Sequence, residues 1–98
     1  MNAHCPICDC KLIIDAGFNN TYFCENKCYA VEYGGLYCSE TIIIDDNLYI
    51  QLDSMYPFAT GYKDEVLIYH FGSEISSKDE IKQAIKELKQ YVKLLAFK

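Results

Sequence analysis

The sequence predicts an α+β fold: a cysteine-bound N-terminal hairpin that continues into an antiparallel sheet, packed by one C-terminal helix. Three observations carry that expectation. Two close cysteine pairs flank a turn-bearing stretch, short runs of β-branched and aromatic residues alternate with turn residues, and the C-terminal end repeats its apolar residues with helical spacing. At 98 residues the chain has the length of one typical domain, with an expected radius of gyration on the order of 13 Å. No repeat, low-complexity tract or linker divides it. Residues 1–98 therefore read as one domain, with a cysteine-bound portion over 1–33, antiparallel strands over 34–73 and a helix over 77–97. Apolar residues make up 51% of the chain, enough for a core. A domain this small nevertheless buries only about 60–65% of its unfolded surface, so a covalent or metal staple would help it fold.

The elements follow in order. Lys11 to Ile14 reads as a strand, Gly17-Phe18-Asn19-Asn20 as a turn and Thr21 to Cys24 as a second strand, which places a hairpin between the cysteine pairs. Tyr29 to Tyr33 reads as a third strand ended by Gly34-Gly35, and Tyr37 to Ile44 as a fourth. Asp45-Asp46-Asn47 then turns the chain into Leu48 to Leu52, a strong hairpin signal. Residues 53–63, with Tyr56-Pro57 and Gly61, read as a loop. Val66 to Phe71 is apolar on both faces except for His70, a pattern that puts this last strand in the middle of the sheet. Ser77 and, three residues on, Glu80 form a capping box that starts a helix from Lys78 to about Phe97. At ~100° per residue, Ile81, Ala84, Ile85, Leu88, Val92 and Leu95 share a face that must be covered. Lys82, Lys86, Lys89 and Lys93 run along its edge.

Charge is unevenly spread. Residues 1–77 hold eleven acids and three lysines, a net of −8, whereas residues 78–98 hold three acids and six lysines, a net of +3. An acidic body argues against general nucleic-acid binding. No apolar run approaches the ~18 residues of a membrane-spanning helix. The start, Met1-Asn2-Ala3-His4-Cys5, lacks the basic and apolar regions of a signal peptide. The expectation is a soluble, cytoplasmic protein, in which six cysteines point to metal binding rather than to a disulfide framework.

Cys5-Pro6-Ile7-Cys8 and Cys24-Glu25-Asn26-Lys27-Cys28 are separated by fifteen residues. Each short loop can turn two sulfurs toward one point, and the hairpin between returns the second pair to complete a tetrahedron. Cys5, Cys8, Cys24 and Cys28 are thus the expected ligands of one structural zinc ion. Four thiolates around one divalent cation would add a further −2 to the acidic body. His4 and Cys10 stand beside the first pair as alternative ligands, and Cys38 as a third spare donor. The Cys-Pro-x-Cys segment resembles the first knuckle of zinc ribbons and rubredoxins over residues 5–28, and the chain is similar in its broad look to small zinc-ribbon proteins of bacteriophages. Those families place glycine after the second cysteine of a knuckle, where this chain has Asp9 and Tyr29. Asp tolerates the left-handed conformation required there, and Tyr does so poorly. The absence of Arg and the plentiful Ile, Lys, Tyr and Asn fit an AT-rich genome such as that of a phage. Cys-Pro-x-Cys also resembles the redox motif of glutaredoxins, but that motif needs a strand before it and a helix after it, and this copy leads into a strand.

No other constellation points to catalysis. His70 lacks a marked nucleophile or carboxylate partner, and the acid pairs Asp45-Asp46 and Asp64-Glu65 fall in expected turns, where solvated acids are ordinary. The nine tyrosines read as sheet residues. The phage resemblance implies a non-enzymatic interaction module that binds a host protein, such as transcription or defence machinery, and modulates or inhibits it. Two alternatives stand beside it: an acidic mimic of nucleic acid that blocks a nucleic-acid-binding protein, and direct nucleic-acid binding through the zinc ribbon, which needs the lysine row to be exposed and contiguous.

Overall fold

The computed structural model describes residues 4–14, 20–34, 37–53, 58–72, 74–75 and 77–96. They form strands β1 (Leu12–Ile14), β2 (Thr21–Cys24), β3 (Tyr29–Gly34), β4 (Tyr37–Ile43), β5 (Leu48–Asp53), β6 (Thr60–Lys63) and β7 (Val66–His70), followed by helix α1 (Lys78–Ala96). Every strand pairs antiparallel with its sequence neighbours, so the sheet is a meander in the order β1 to β7. The expected antiparallel sheet with one C-terminal helix is present. Its radius of gyration is 13.5 Å, and it is elongated, 43 × 26 × 25 Å. The expected turn at Gly17-Phe18-Asn19 and the residues Gly35, Tyr56, Pro57 and Phe97 lie outside the described residues. Among those described, no helix is long and apolar enough to cross a membrane.

Register assigns the side chains to two faces. Tyr29, Ile42, Ile50, Gly61 and Tyr69 are successive cross-strand partners, and α1 packs on the face they share. Ile42, Ile50 and Leu88 are fully buried there, with Ile81 and Ala84 nearly so. A Cβ on Gly61 would lie 2.8 Å from Leu88 Cδ1 and 3.3 Å from Tyr69 Cβ, so the missing side chain is what lets the helix approach. Tyr69 packs its ring against Tyr91, with centroids 4.8 Å apart and planes tilted by 50°, and donates its hydroxyl to Glu87 Oε2 at 2.6 Å. The capping box forms as read: Ser77 N–H donates to Glu80 Oε1 at 3.0 Å and Glu80 N–H to Ser77 Oγ at 3.1 Å. Leu95, expected on the covered face, is 40% exposed, because the last turn of α1 runs past the packed residues.

Two expectations about the strands are corrected. The stretch read as a loop over 53–63 contains β6, hidden from the sequence because Gly61 interrupts an already short strand pattern. The strand expected at the centre, β7, lies at the edge. Its two-faced apolarity has another cause: a bulge between Gly61 and Tyr62 pairs Tyr62 with Leu67 but Gly61 with Tyr69, leaving Ile68 as the extra residue. Tyr69 then faces α1, while Leu67 and His70 both turn to the opposite face. The β6–β7 connection is a two-residue turn with positive φ at both Asp64 (52°) and Glu65 (66°), the twist that antiparallel strands favour.

Candidate metal centre

The four cysteines read from the sequence come together. The sulfurs of Cys5, Cys8, Cys24 and Cys28 all lie within 4.8 Å of one another. Cys8 to Cys24 is 3.2 Å, Cys5 to Cys28 3.4 Å, Cys8 to Cys28 3.5 Å and Cys24 to Cys28 3.6 Å. These separations are far beyond a sulfur–sulfur bond of about 2.05 Å. They are close to the roughly 3.8 Å edge of a tetrahedron with ligand bonds of about 2.3 Å. The set therefore fits one metal ion.

Local backbone geometry builds the site. Cys5 and Cys24 are fully buried, whereas Cys8 and Cys28 are half-buried. In the first knuckle Asp9 N–H donates to Cys5 O at 3.0 Å, Cys5 N–H to Cys10 O at 2.8 Å, and Ile7 N–H to Cys5 Sγ at 3.4 Å. The second repeats the pattern with Asn26 N–H on Cys24 Sγ at 3.4 Å and Lys27 N–H on Cys24 O at 2.9 Å. Donors aimed at sulfur favour thiolates, the form that binds metal. Asp9 takes the left-handed conformation expected of it, with φ 65°. In the second knuckle that conformation falls on Lys27 (φ 59°) rather than Tyr29. The extra residue between Cys24 and Cys28 places the bend before the second cysteine, and Tyr29 is already extended in β3 against Ile42.

The sulfurs differ electrostatically. Backbone N–H donation from Cys10, then the Asn26 amide and Cys24, lower the Cys8 thiol to about 5. Burial pushes Cys5 and Cys28 up. Cys10 is outside the four-sulfur group yet next to it: Asn26 Nδ2 reaches Cys10 Sγ at 3.1 Å and Cys8 Sγ at 3.4 Å. Its thiol is pushed up chiefly by its hydrogen bond with Cys8. Asn26 thus ties ligand and neighbour, a role that the sequence did not single out and that only its place inside the second cysteine loop signalled. His4 is exposed and bridges Lys11, and Cys38 sits on β4 opposite Tyr33. Neither belongs to the four-sulfur group.

Other singled-out residues sit elsewhere. His70 is exposed on the sheet face away from α1. Asp45, Asp46, Asp64 and Glu65 are exposed in turns as read, but the two turns meet: Asp64 N–H donates to Asn47 O at 2.9 Å. Asp46, Asp64 and Glu65 line one hollow with Tyr49. Asp45 and Asp46 also border the hollow beside Cys24 and Cys28. The acidic turns and the cysteines thus occupy the same end of the molecule. Lys82, Lys86, Lys89 and Lys93 are all exposed on α1. No family model, curated protein or solved structure matches the chain.

Proposed function

We propose that the chain is a small zinc-stabilised protein-interaction module, of the kind phages encode, that binds a host protein and modulates or inhibits it. The observation that carries this reading is the open sheet face opposite α1. Among the described residues no element covers it, and Ile13, Phe23, Phe58 and Leu67 are 39%, 37%, 52% and 42% exposed. Ile13, Phe23 and Ala30 are successive cross-strand partners, as are Ile43, Tyr49, Tyr62 and Leu67, so the apolar side chains form rows. Contiguous exposed apolar surface is characteristic of protein-binding sites.

Zinc is the ion that four thiolates in a closed tetrahedron favour, and its role here is to hold the N-terminal strands. The module acts on this reading by binding and not by turnover. Elemental analysis of purified protein is expected to find about one zinc per chain. Affinity capture from host lysate is expected to recover one protein whose binding is lost when Phe23 or Leu67 becomes charged. The acidic-mimic reading draws on the meeting of the two acidic turns beside the cysteines, and it predicts binding that falls steeply with salt and is competed by nucleic acid. High affinity of the purified chain for DNA or RNA, with no protein captured, would sink both and favour direct nucleic-acid binding through the ribbon.

A further inference from the structure

The open face is not uniform. Toward its β7 side, Gln51, Asp53, Phe58, Thr60, Tyr62, Leu67 and His70 line a cleft of about 430 Å³, within the size range of small-ligand sites. Strand alternation places Gln51 and Asp53 of β5 and Thr60 and Tyr62 of β6 on this face. The β7 bulge is what brings both Leu67 and His70 to it, although they stand three residues apart. Bulges commonly re-aim side chains beside functional sites. Two features organise the walls. Tyr62 stacks on Tyr49, with centroids 5.1 Å apart and planes at 11°, which fixes an aromatic wall. Gln51 is held from its other side, its amide donating to Ser39 Oγ at 2.5 Å and its carbonyl accepting from Thr41 Oγ1 at 3.2 Å.

Charge on this face is one-sided. Glu32, Ser39 and Asp53 are successive cross-strand partners, so the two carboxylates share a row. By register, no lysine points from β2 to β7 into this face. A cleft with aromatic and aliphatic walls and a carboxylate at one side matches a planar cation on an apolar stem, which stacks on a ring and pairs with the acid.

We propose that this cleft receives an arginine side chain presented by a basic segment of a protein partner. The proposal rests on the protein-interaction reading above and adds to it the site and the chemistry of the contact. The guanidinium pairs with the Asp53 carboxylate beside Phe58, at one end of the cleft, while its methylenes run over Thr60 toward Tyr62 and Leu67 at the other.

The test uses the full-length metal-loaded protein, isotope-labelled, with acetyl-Gly-Arg-Gly-amide as the probe and its norleucine counterpart as the uncharged control. The expected result is amide shifts confined to residues 51–53, 60–62 and 67–70, weakened on the order of tenfold by Asp53→Asn and reduced by added salt. Leu67→Lys, which sets a competing cation at the mouth, is expected to abolish the shifts. Melting temperature and metal content establish that both variants fold. Equal shifts from the norleucine probe, shifts elsewhere only, or concentration-dependent shifts in the same residues without any probe, which mark a second copy as the occupant, would each overturn the proposal. The two readings separate in capture experiments. A captured partner that is lost when Phe23 or Leu67 becomes charged but is indifferent to Asp53→Asn leaves the interaction reading standing and removes the cleft, whereas arginine-selective shifts with no captured partner do the reverse.

Discussion

The two ends of the sheet are held by different means. At the helix end, Ile42, Ile50, Ala59, Phe71, Ile81, Ala84 and Leu88 are buried together, and α1 covers one face of β6 and β7. At the cysteine end, β1 and β2 are three and four residues long. They leave Ile13, Ile14 and Phe23 at least 37% exposed. The buried set there includes two cysteines of the four-sulfur group, Cys5 and Cys24, beside Leu12, Tyr29 and Val31. One end is packed, and the other gathers four cysteines that fit a metal staple, the kind of support a small domain uses where it runs out of apolar surface to bury.

That difference predicts the largest effect. Structural zinc in small modules contributes about 10–16 kcal/mol of apparent binding free energy, so Cys24→Ser should cost far more than any packing change. The expected outcome is metal content near zero and collapse of amide dispersion over residues 4–34, with the helical circular dichroism of α1 retained. Cys38→Ser, outside the four-sulfur group, should leave metal content unchanged. Complete loss of helix signal in Cys24→Ser would show that the two ends fold as one unit.

At the helix end the equivalent substitution is Leu88→Ala, since Leu88 is 0% exposed. A loss of about 2–5 kcal/mol is expected by urea denaturation. A change below ~0.5 kcal/mol would mean that α1 is detached in solution. Gly61→Ala is smaller, about 1–3 kcal/mol from overpacking, because the new methyl meets Leu88 at 2.8 and 3.1 Å. The two sites touch, so their effects should not add. Combining Gly61→Ala with Leu88→Ala should cost less than the sum, as the alanine methyl occupies part of the space that the leucine leaves. Strict additivity would contradict this packing.

The contrast also separates what was legible in the sequence from what was not. Cysteine spacing and the Ser77/Glu80 capping box are local signals with fixed geometry, and both appear in the structure where they were read. What was lost depends on contacts distant in sequence. Gly61 looks like a loop residue until Leu88 is seen against it. β7 looks central because its bulge lets Tyr69 face the helix and Leu67 the open face. The left-handed residue of the second knuckle moved from Tyr29 to Lys27 because a one-residue longer loop shifts the bend, which a motif borrowed from shorter loops does not anticipate. The cleft itself was invisible, since its lining comes from three strands, one of them read as a loop.

The smallest effect lies where the two ends join. Tyr29 follows the last cysteine of the site, is 5% exposed, and donates its hydroxyl to Glu40 Oε1 on β4. Tyr29→Phe removes that donor and should destabilise by about 1 kcal/mol near neutral pH. The sign of its pH dependence follows from the hydroxyl's surroundings. Burial, followed by the hydrogen bond and the charge of Glu40, raises the Tyr29 phenol above its ordinary value. The fold therefore prefers the neutral phenol, and its contribution is fully present below the unfolded value of about 10 and lost as pH rises past it. Wild-type protein should lose stability over that range, and Tyr29→Phe should lose less, so that the two denaturation midpoints converge at alkaline pH. Metal-loaded protein is the sample to use, because bound thiolates do not titrate there, and the other groups that do are shared by both proteins, so the difference between them isolates Tyr29. Tyr33, also raised by burial, remains in both proteins, so its contribution lowers both midpoints alike and does not affect their convergence. Midpoints that stay parallel through the alkaline range would mean that the Tyr29 hydroxyl is open to solvent and that the junction is looser than its burial indicates.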